Sequence, residues 1–299
     1  MVAVIKEPLK WMLLGAGGQL GSAFTNKMKE EGFKFLALTH SELDITDDNA
    51  VGRAINSYKP NFVINNAAWT KVDAAEIHQA EAEVLNTFAP AVIAKECAKN
   101  AAKFVQFSTN YVFSGIRNEP WQENSQTSAL SVYGKSKAAG EVLVLAAHAT
   151  GSYIVRTSWL YSKWGQNFVK TILRLALRNE DQIQVVQDQF GQPTSAIHLV
   201  DQVVLMLERN VPPGIYHGSN SGGTSWFEFA REIFTLAGAD PTRVIPINSS
   251  NAPGTAQRPK YSLLGHGHWS EVGINPMCEW KQALRECFPD ILYEMKLER

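Results

Sequence analysis

Three side chains in the middle of this 299-residue chain carry the chemistry of a carbonyl reduction: the Thr109 hydroxyl, the Tyr133 phenol and the Lys137 ammonium. A hydroxyl and a phenol can polarise a ketone and hand it a proton. Tyr133 and Lys137 are four residues apart, so on a helix that begins here they share one face. A free phenol has a pKa of ~10 and is a reluctant donor at neutral pH, and a nearby cation is expected to lower it toward the working range. Tyr and Lys at this spacing occur on many solvated helices, so the pair gains meaning only from the elements that position it.

Upstream, those elements read as a nucleotide-binding half. The apolar run Lys10 to Leu14 is followed by a turn with Gly15, Gly18 and Gly21, and then by a helical pattern from Gln19 to Lys29. Such a turn lets the backbone bend sharply and approach a pyrophosphate, which the helix N-terminus receives. A strand from Phe33 to Leu38 ends in Thr39-His40-Ser41, without the acid that would grip the ribose hydroxyls of NAD. That favours NADPH, with NADH as the alternative. Asp44 is an acceptor within reach of an adenine amino group. A strand from Phe62 to Asn66 ends in Ala67 and Ala68, which leave room for a bulky ligand. The run from Val72 through Glu83 and Asn86 toward Ala98 reads as one dense helix, with Asn86 a structural hydrogen-bonding group or the anchor of a water chain. Strand Lys103 to Ser108 delivers Thr109 and Asn110 to the carboxyl edge of the sheet, where open parallel sheets place their ligands.

Downstream, strand Ser152 to Ser158 leads into Trp159, Trp164 and Asn167, aromatic faces and amides suited to a base or sugar. A helix from Phe168 to Asn179 and a strand from Gln182 to Gln187 follow. Helix Ile197 to Arg209 and strand Gly214 to His217 then return to the first sheet. Helix Trp226 to Leu236, strand Arg243 to Ile247 and a loop carrying Arg258 come last, and that guanidinium can meet a diphosphate bidentately. The expected fold is α/β: a Rossmann doubly wound parallel sheet with a smaller, discontinuous α/β substrate domain. The nucleotide-binding part spans 10–158 plus about 195–218, the substrate part about 159–194 and 219–299, and 1–9 form an N-terminal arm.

Composition narrows the function classes. With 28 Lys+Arg against 29 Asp+Glu the net charge is -1, and no global field recruits nucleic acid or a membrane. Cys97, Cys278 and Cys287 are widely separated with no CxxC pair, so neither a disulfide framework nor a thiolate zinc site is suggested. His266 and His268 read as solvent-exposed rather than as a metal pair, and no metal is expected. The N-terminal apolar run is too short for a signal peptide, and no stretch reaches the ~18 apolar residues of a spanning helix. A cytoplasmic location is expected.

Several blocks together carry a resemblance: Gly-Ala-Gly-Gly-Gln-Leu-Gly at 15–21, Asn66-Ala67-Ala68, Val72-Asp73, Ser108-Thr109, Tyr111-Val112-Phe113 and the Tyr133/Lys137 pair. Arg156 to Tyr161, Asn167 to Val169, Asp188 to Thr194 and Gln257-Arg258-Pro259 complete it. The chain resembles the extended short-chain dehydrogenase/reductase superfamily, and within it the dTDP-4-dehydrorhamnose reductase branch. The resemblance implies NAD(P)H-dependent reduction of the C4 ketone of a dTDP-linked 4-keto-6-deoxysugar. Thr109 would bind the ketone, Tyr133 donate the proton, and Lys137 bind the nicotinamide ribose and lower the phenol pKa. It places Gln19, Leu20 and Ile45 beside Gly15, Gly18, Gly21, Thr39, His40, Ser41, Asp44, Ala67 and Ala68 around the cofactor. It places Asn110, Tyr111, Trp159, Asn167, Gln192 and Arg258 around the substrate. One departure is Asn110, where the branch has Asp after Ser-Thr. The Asp-Glu pair that a sugar-nucleotide dehydratase carries after the Thr is absent. A sugar-nucleotide epimerase and a non-catalytic NADP-binding regulatory subunit are the alternatives, and the chain would be a monomer or homodimer.

Overall fold

The computed structural model describes residues 8–178, 181–252 and 254–297. Most of the expected N-terminal arm, and Asn179 at the end of one expected helix, lie outside the described residues.

Six parallel strands form the central sheet: β1 (Lys10–Leu14), β2 (Lys34–Leu38), β3 (Phe62–Asn65), β4 (Lys103–Thr109), β5 (Ser152–Thr157) and β6 (Gly214–His217). Their order is β6-β5-β4-β3-β1-β2, so the direction of winding reverses between β1 and β3. A crevice opens beyond the carboxyl ends at such a reversal. Leu14 stands opposite both Leu38 and Asn65, and Thr109 opposite Thr157, so the strand ends converge on one edge.

Apart from their ends and Gln106, the strands are apolar because helices cover both faces. Trp11 and Leu13 point to one face, where they meet Leu20, Phe24 and Met28 of α1 (Gln19–Glu30). Met12 and Leu14 point to the other, against Val51 and Ile55 of α2 (Asp48–Tyr58) and Ile93 and Cys97 of α3 (Ala89–Lys99). Helix α4 (Val132–His148) covers that same face through Val144. A separate core gathers Val169 and Leu173 of α5 (Phe168–Arg178) with side chains of two later helices. Helix α6 (Ala196–Glu208) packs on α1 through Leu199 and Val203, back on the sheet. The later helices are α7 (Trp226–Leu236), with Phe229 and Ile233, and α8 (Trp280–Leu297), with Leu284, Phe288 and Ile291. Among the described residues no helix is long and apolar enough to cross a membrane.

Two expectations are corrected, and one helix goes beyond the sequence reading. The alanine-rich run from Val72 to Ala98 is broken into Val72–Ala75, Gln79–Glu83, a wide π turn at Val84–Phe88, and α3. Tertiary hydrogen bonds of Asp73 and Asn86, described below, override the helical propensity of the run. Helix α8 was not read from the sequence because Pro289 sits inside it, removing one hydrogen bond of a helix whose apolar face is buried in the third core. His266 and His268 are half-buried rather than solvent-exposed. His266 Nε2 lies 2.9 Å from the Ser219 hydroxyl, and His268 Nδ1 lies 2.7 Å from the Ile215 carbonyl with its ring stacked on Tyr216. Burial takes His266 down to about 4.

Candidate active site

The glycine turn joins β1 to α1 at the sheet's reversal point. Gly15 has φ +68°, and a Cβ there would lie 2.6 Å from the Ala67 amide nitrogen, while one on Gly21 would lie 2.3 Å from the Gly15 carbonyl. No larger residue fits either place. Above this turn runs a cleft of about 1070 Å³. Gly15, Gly18, Gln19, Leu20, His40, Asp44, Ile45, Ala67 and Ala68 line one end, and Thr109, Asn110, Tyr111, Tyr133, Lys137 and Trp159 the other. Three buried polar atoms on its wall, Asn66 Oδ1, Ser108 Oγ and Thr157 Oγ1, have no protein partner. A glycine-cradled cleft with spare acceptors and donors fits a dinucleotide.

Gly21 lies beneath the turn rather than in the cleft, and Thr39 and Ser41 also stand outside its lining. The second strand does end near an acid: Glu42 accepts from the Thr39 amide at 2.8 Å and from its hydroxyl at 2.7 Å. Ser41 Oγ is 3.0 Å from the same Thr39 hydroxyl. The tight turn after β2 folds Glu42 back three residues, which linear distance from the glycines does not reveal.

Thr109 closes β4. Its hydroxyl accepts from the Tyr111 amide at 3.2 Å and donates to Asn110 Oδ1 at 3.2 Å. Asn110 is buried, and its amide donates to Ser262 Oγ at 2.7 Å, which in turn donates to the Phe190 carbonyl at 3.0 Å. The end of β4 is thereby tied to the segments that carry Phe190 and Ser262. A carboxylate at 110 could only accept, so the Ser262 proton would have to turn toward it.

The seat of α4 places the other two groups. Ser131 caps the helix by accepting from the Gly134 amide, and a Cβ on Gly134 would lie 2.3 Å from the Tyr111 carbonyl. Asn86 accepts from Trp69 N–H at 2.9 Å and donates to Ser136 Oγ at 3.0 Å. Ser136 then donates to the Tyr133 carbonyl at 2.9 Å. Both amide protons of Asn86 are thus committed to groups of the fold.

Burial pushes the Tyr133 phenol up to about 12, opposed in part by its hydrogen bond with Thr109. The same burial takes the Lys137 ammonium down to about 8, with the charge of Glu141 pulling it back up. Glu141 is bound in turn by buried Arg156, through Nε at 2.9 Å and Nη2 at 2.7 Å. This Lys137-Glu141-Arg156 chain escaped the sequence reading. Its signal was present, because Glu141 is four residues beyond Lys137 and shares its helix face.

A second cavity of about 1480 Å³ adjoins the cleft and shares Tyr111 and Trp226 with it. Trp159 holds φ +45°, a strained conformation for a bulky residue, and stacks on Trp226 with centroids 3.5 Å apart. Trp226 was read only as the start of a helix. Arg258 and Lys260 also line this cavity. Arg258 grips Asp73 through Nη2 at 2.5 Å and Nη1 at 3.2 Å, which takes the Asp73 carboxyl down to about 2. Asn167 and Gln192 line neither cavity. Asn167 donates to Gln19 Oε1 and the Ser162 carbonyl and accepts from the Lys170 amide, while Gln192 is committed to both backbone groups of Leu264 and to Ser219. Their amides are consumed in joining elements of the fold.

A doubly wound parallel sheet with a glycine turn at its reversal point, and Thr, Tyr and Lys converging beyond β4, defines a dinucleotide-dependent oxidoreductase of the extended short-chain dehydrogenase/reductase class. The sequence profile of the RmlD substrate binding domain family matches residues 9–292. The chain is 42% identical over 284 residues to a dTDP-4-dehydrorhamnose reductase of Streptomyces griseus, covering 94% of this chain and 93% of that one. It is 37% identical to a dTDP-4-keto-6-deoxy-D-glucose reductase of Streptomyces niveus, covering 94% and 96%. The crystal structure of a dTDP-4-dehydrorhamnose reductase from Bacillus anthracis, in complex with NADP, superposes with a TM-score of 0.91 at 36% identity, covering 95% and 99%. The chain belongs to the dTDP-4-dehydrorhamnose reductase family.

Proposed function

We propose that the protein reduces the C4 ketone of a dTDP-linked 4-keto-6-deoxysugar with NADPH, in deoxysugar biosynthesis. The observation that carries this reading is the pair of adjoining cavities, the first of them lined by Thr109, Tyr133 and Lys137. The names of the Streptomyces reductases and the NADP held by the Bacillus anthracis enzyme support the same substrate and cofactor.

When bound, NADPH supplies the hydride. Gly15, Gly18, Ala67 and Ala68 leave space for it, and Lys137, which lines the same cleft, would donate to a ribose hydroxyl. Thr109 and Tyr133 hold the ketone oxygen between two O–H groups, which stabilises negative charge as it develops. Tyr133 then gives its proton to that oxygen. A phenol held near 12 stays protonated until the oxygen becomes a strong base, so transfer is coupled to reduction rather than preceding it. Lys137 supplies the replacement proton. In the second cavity Lys260 offers a cation to a diphosphate, Arg258 would join it only by leaving Asp73, and Trp226, backed by Trp159 of the cleft, offers a flat face to the sugar.

The test mixes the protein with NADPH and a dTDP-4-keto-6-deoxysugar and follows the near-ultraviolet absorbance of the reduced nicotinamide. Consumption is expected, and Tyr133→Phe should slow it at least ~100-fold while leaving NADP affinity within a few-fold. Tight NADP binding without consumption would instead favour a regulatory subunit.

A further inference from the structure

Away from the cleft, one group of three metal-ligating side chains comes together among the described residues: His198 in the first turn of α6, Cys278 just before α8, and Glu286 within α8. Their ligand atoms all lie within 4.8 Å of one another. The imidazole is held from both sides, with Glu286 Oε2 3.1 Å from Nε2 and Cys278 Sγ 3.5 Å from Nδ1. Fully buried Asn220 backs the sulfur. Its amide donates to the Cys278 carbonyl at 3.0 Å and stands 3.3 Å from His198 Nδ1 and 3.7 Å from Cys278 Sγ, and its Oδ1 accepts from the Ser195 amide at 2.9 Å. With an ion on Nδ1, the amide proton now shared between that nitrogen and the sulfur would be left to Cys278 Sγ, the kind of outer contact that supports a metal-bound thiolate.

We propose that His198, Cys278 and Glu286 form a zinc site that braces α6 against α8. Zinc bonds of ~2.3 Å to sulfur and ~2.0 to 2.1 Å to nitrogen, at a tetrahedral angle, separate the two ligand atoms by about 3.6 Å. Nδ1 and Sγ stand 3.5 Å apart. Two ligands are therefore already at their working separation, and the third belongs to a glutamate whose side chain is 49% exposed and can swing to the ion. A thiolate and an imidazole select zinc over magnesium or calcium, which take oxygen ligands. None of the three residues lines the reductive cleft, so the ion would be structural, with water completing its shell. It would pin together helices whose ligands are 80 residues apart in sequence, closing the C-terminal helix onto the nucleotide-binding sheet. No spacing rule finds such a site, because its ligands come from three separate elements.

The rival account is a hydrogen-bonded trio that holds the helices without an ion, and response to metal separates the two. Full-length protein without a histidine tag is stripped with chelator and titrated with zinc chloride by calorimetry, and with cobalt(II) as a spectroscopic probe. One zinc per chain with Kd at or below ~1 μM, a thiolate-to-cobalt charge-transfer band, and a Tm that climbs with free zinc are expected. Cys278→Ser, close to isosteric, should lose the band and weaken zinc binding by more than the ~10 to 100-fold that losing a supporting contact costs. Reductase turnover should be the same with zinc and with chelator. Absence of binding in this range, or binding undiminished in a Cys278→Ser variant that keeps the metal-free Tm, would overturn the proposal in favour of the trio.

Discussion

Replacing Lys137 by methionine is expected to stabilise the cofactor-free protein while stopping turnover. Burial takes this ammonium from 10.5 to about 8 even with Glu141 nearby. At ~1.4 kcal/mol per pH unit, keeping it charged in the fold at neutral pH costs about 3 kcal/mol relative to the unfolded chain. Methionine retains the unbranched apolar stem and removes the charge. The folded pKa lies below the unfolded one, so the penalty is fully present below about 8. It shrinks as pH rises to 10.5, where the unfolded chain holds a proton that the folded chain has already released. Urea denaturation at neutral pH should show Lys137→Met more stable by about 2 to 3 kcal/mol, and the gap should close above about pH 10. Other groups titrate in both proteins and cancel in the difference. Turnover should fall at least ~100-fold in the variant. A Lys137→Met protein that is less stable than wild type at neutral pH, or a gap that ignores pH, would refute the claim that function holds this ammonium in the site against stability.

Glu141→Gln leaves Arg156 as an under-compensated buried charge and should lower stability by about 3 to 5 kcal/mol in urea denaturation; a loss below ~1 kcal/mol would mean that the pair is solvated. Gly134→Ala drives a Cβ against the Tyr111 carbonyl, 2.3 Å away, and displaces the first turn of α4. Its kcat should drop at least ~10-fold with NADP affinity far less affected, because a misplaced donor costs rate before binding. Glu42→Gln removes a negative charge that the Thr39 amide and hydroxyl now hold at the end of β2. Calorimetry should show NADP affinity rising relative to NAD, since a 2'-phosphate no longer meets a carboxylate; an unchanged ratio would place the 2'-phosphate elsewhere.

The sheet was legible because burial on both faces leaves a direct trace: runs such as Trp11 to Leu14 and Phe62 to Ile64 are apolar throughout, and glycines punctuate the first turn. The Thr109, Tyr133 and Lys137 set was legible for a local reason, a strand end and two residues on one helical turn. What escaped depends on contacts between distant segments. Asn86 and Asp73 break a run whose composition is helical, because each is drawn to a partner far along the chain. Asn167 and Gln192 stand in blocks that carry the family resemblance, yet their amides join elements of the fold, and sequence pattern alone does not separate the two roles. Glu42 was passed over because the turn that folds it back is a matter of backbone geometry. Sequence shows a cation four residues from the Tyr133 phenol but not the burial that pushes that phenol up. Asn110 was marked as the departure from the branch, and the structure gives it a donor's role toward Ser262 that the usual aspartate cannot fill.

The central claim is that this chain moves a hydride from NADPH to C4 of a keto sugar. The most direct measurement supplies NADPH deuterated at the transferred position together with a dTDP-4-keto-6-deoxysugar and locates the label by mass spectrometry and NMR. One deuterium at C4 of the product, with equimolar NADP formed, is the predicted result. An epimerised sugar without label and without net cofactor oxidation, or no product beside bound NADP, would contradict it.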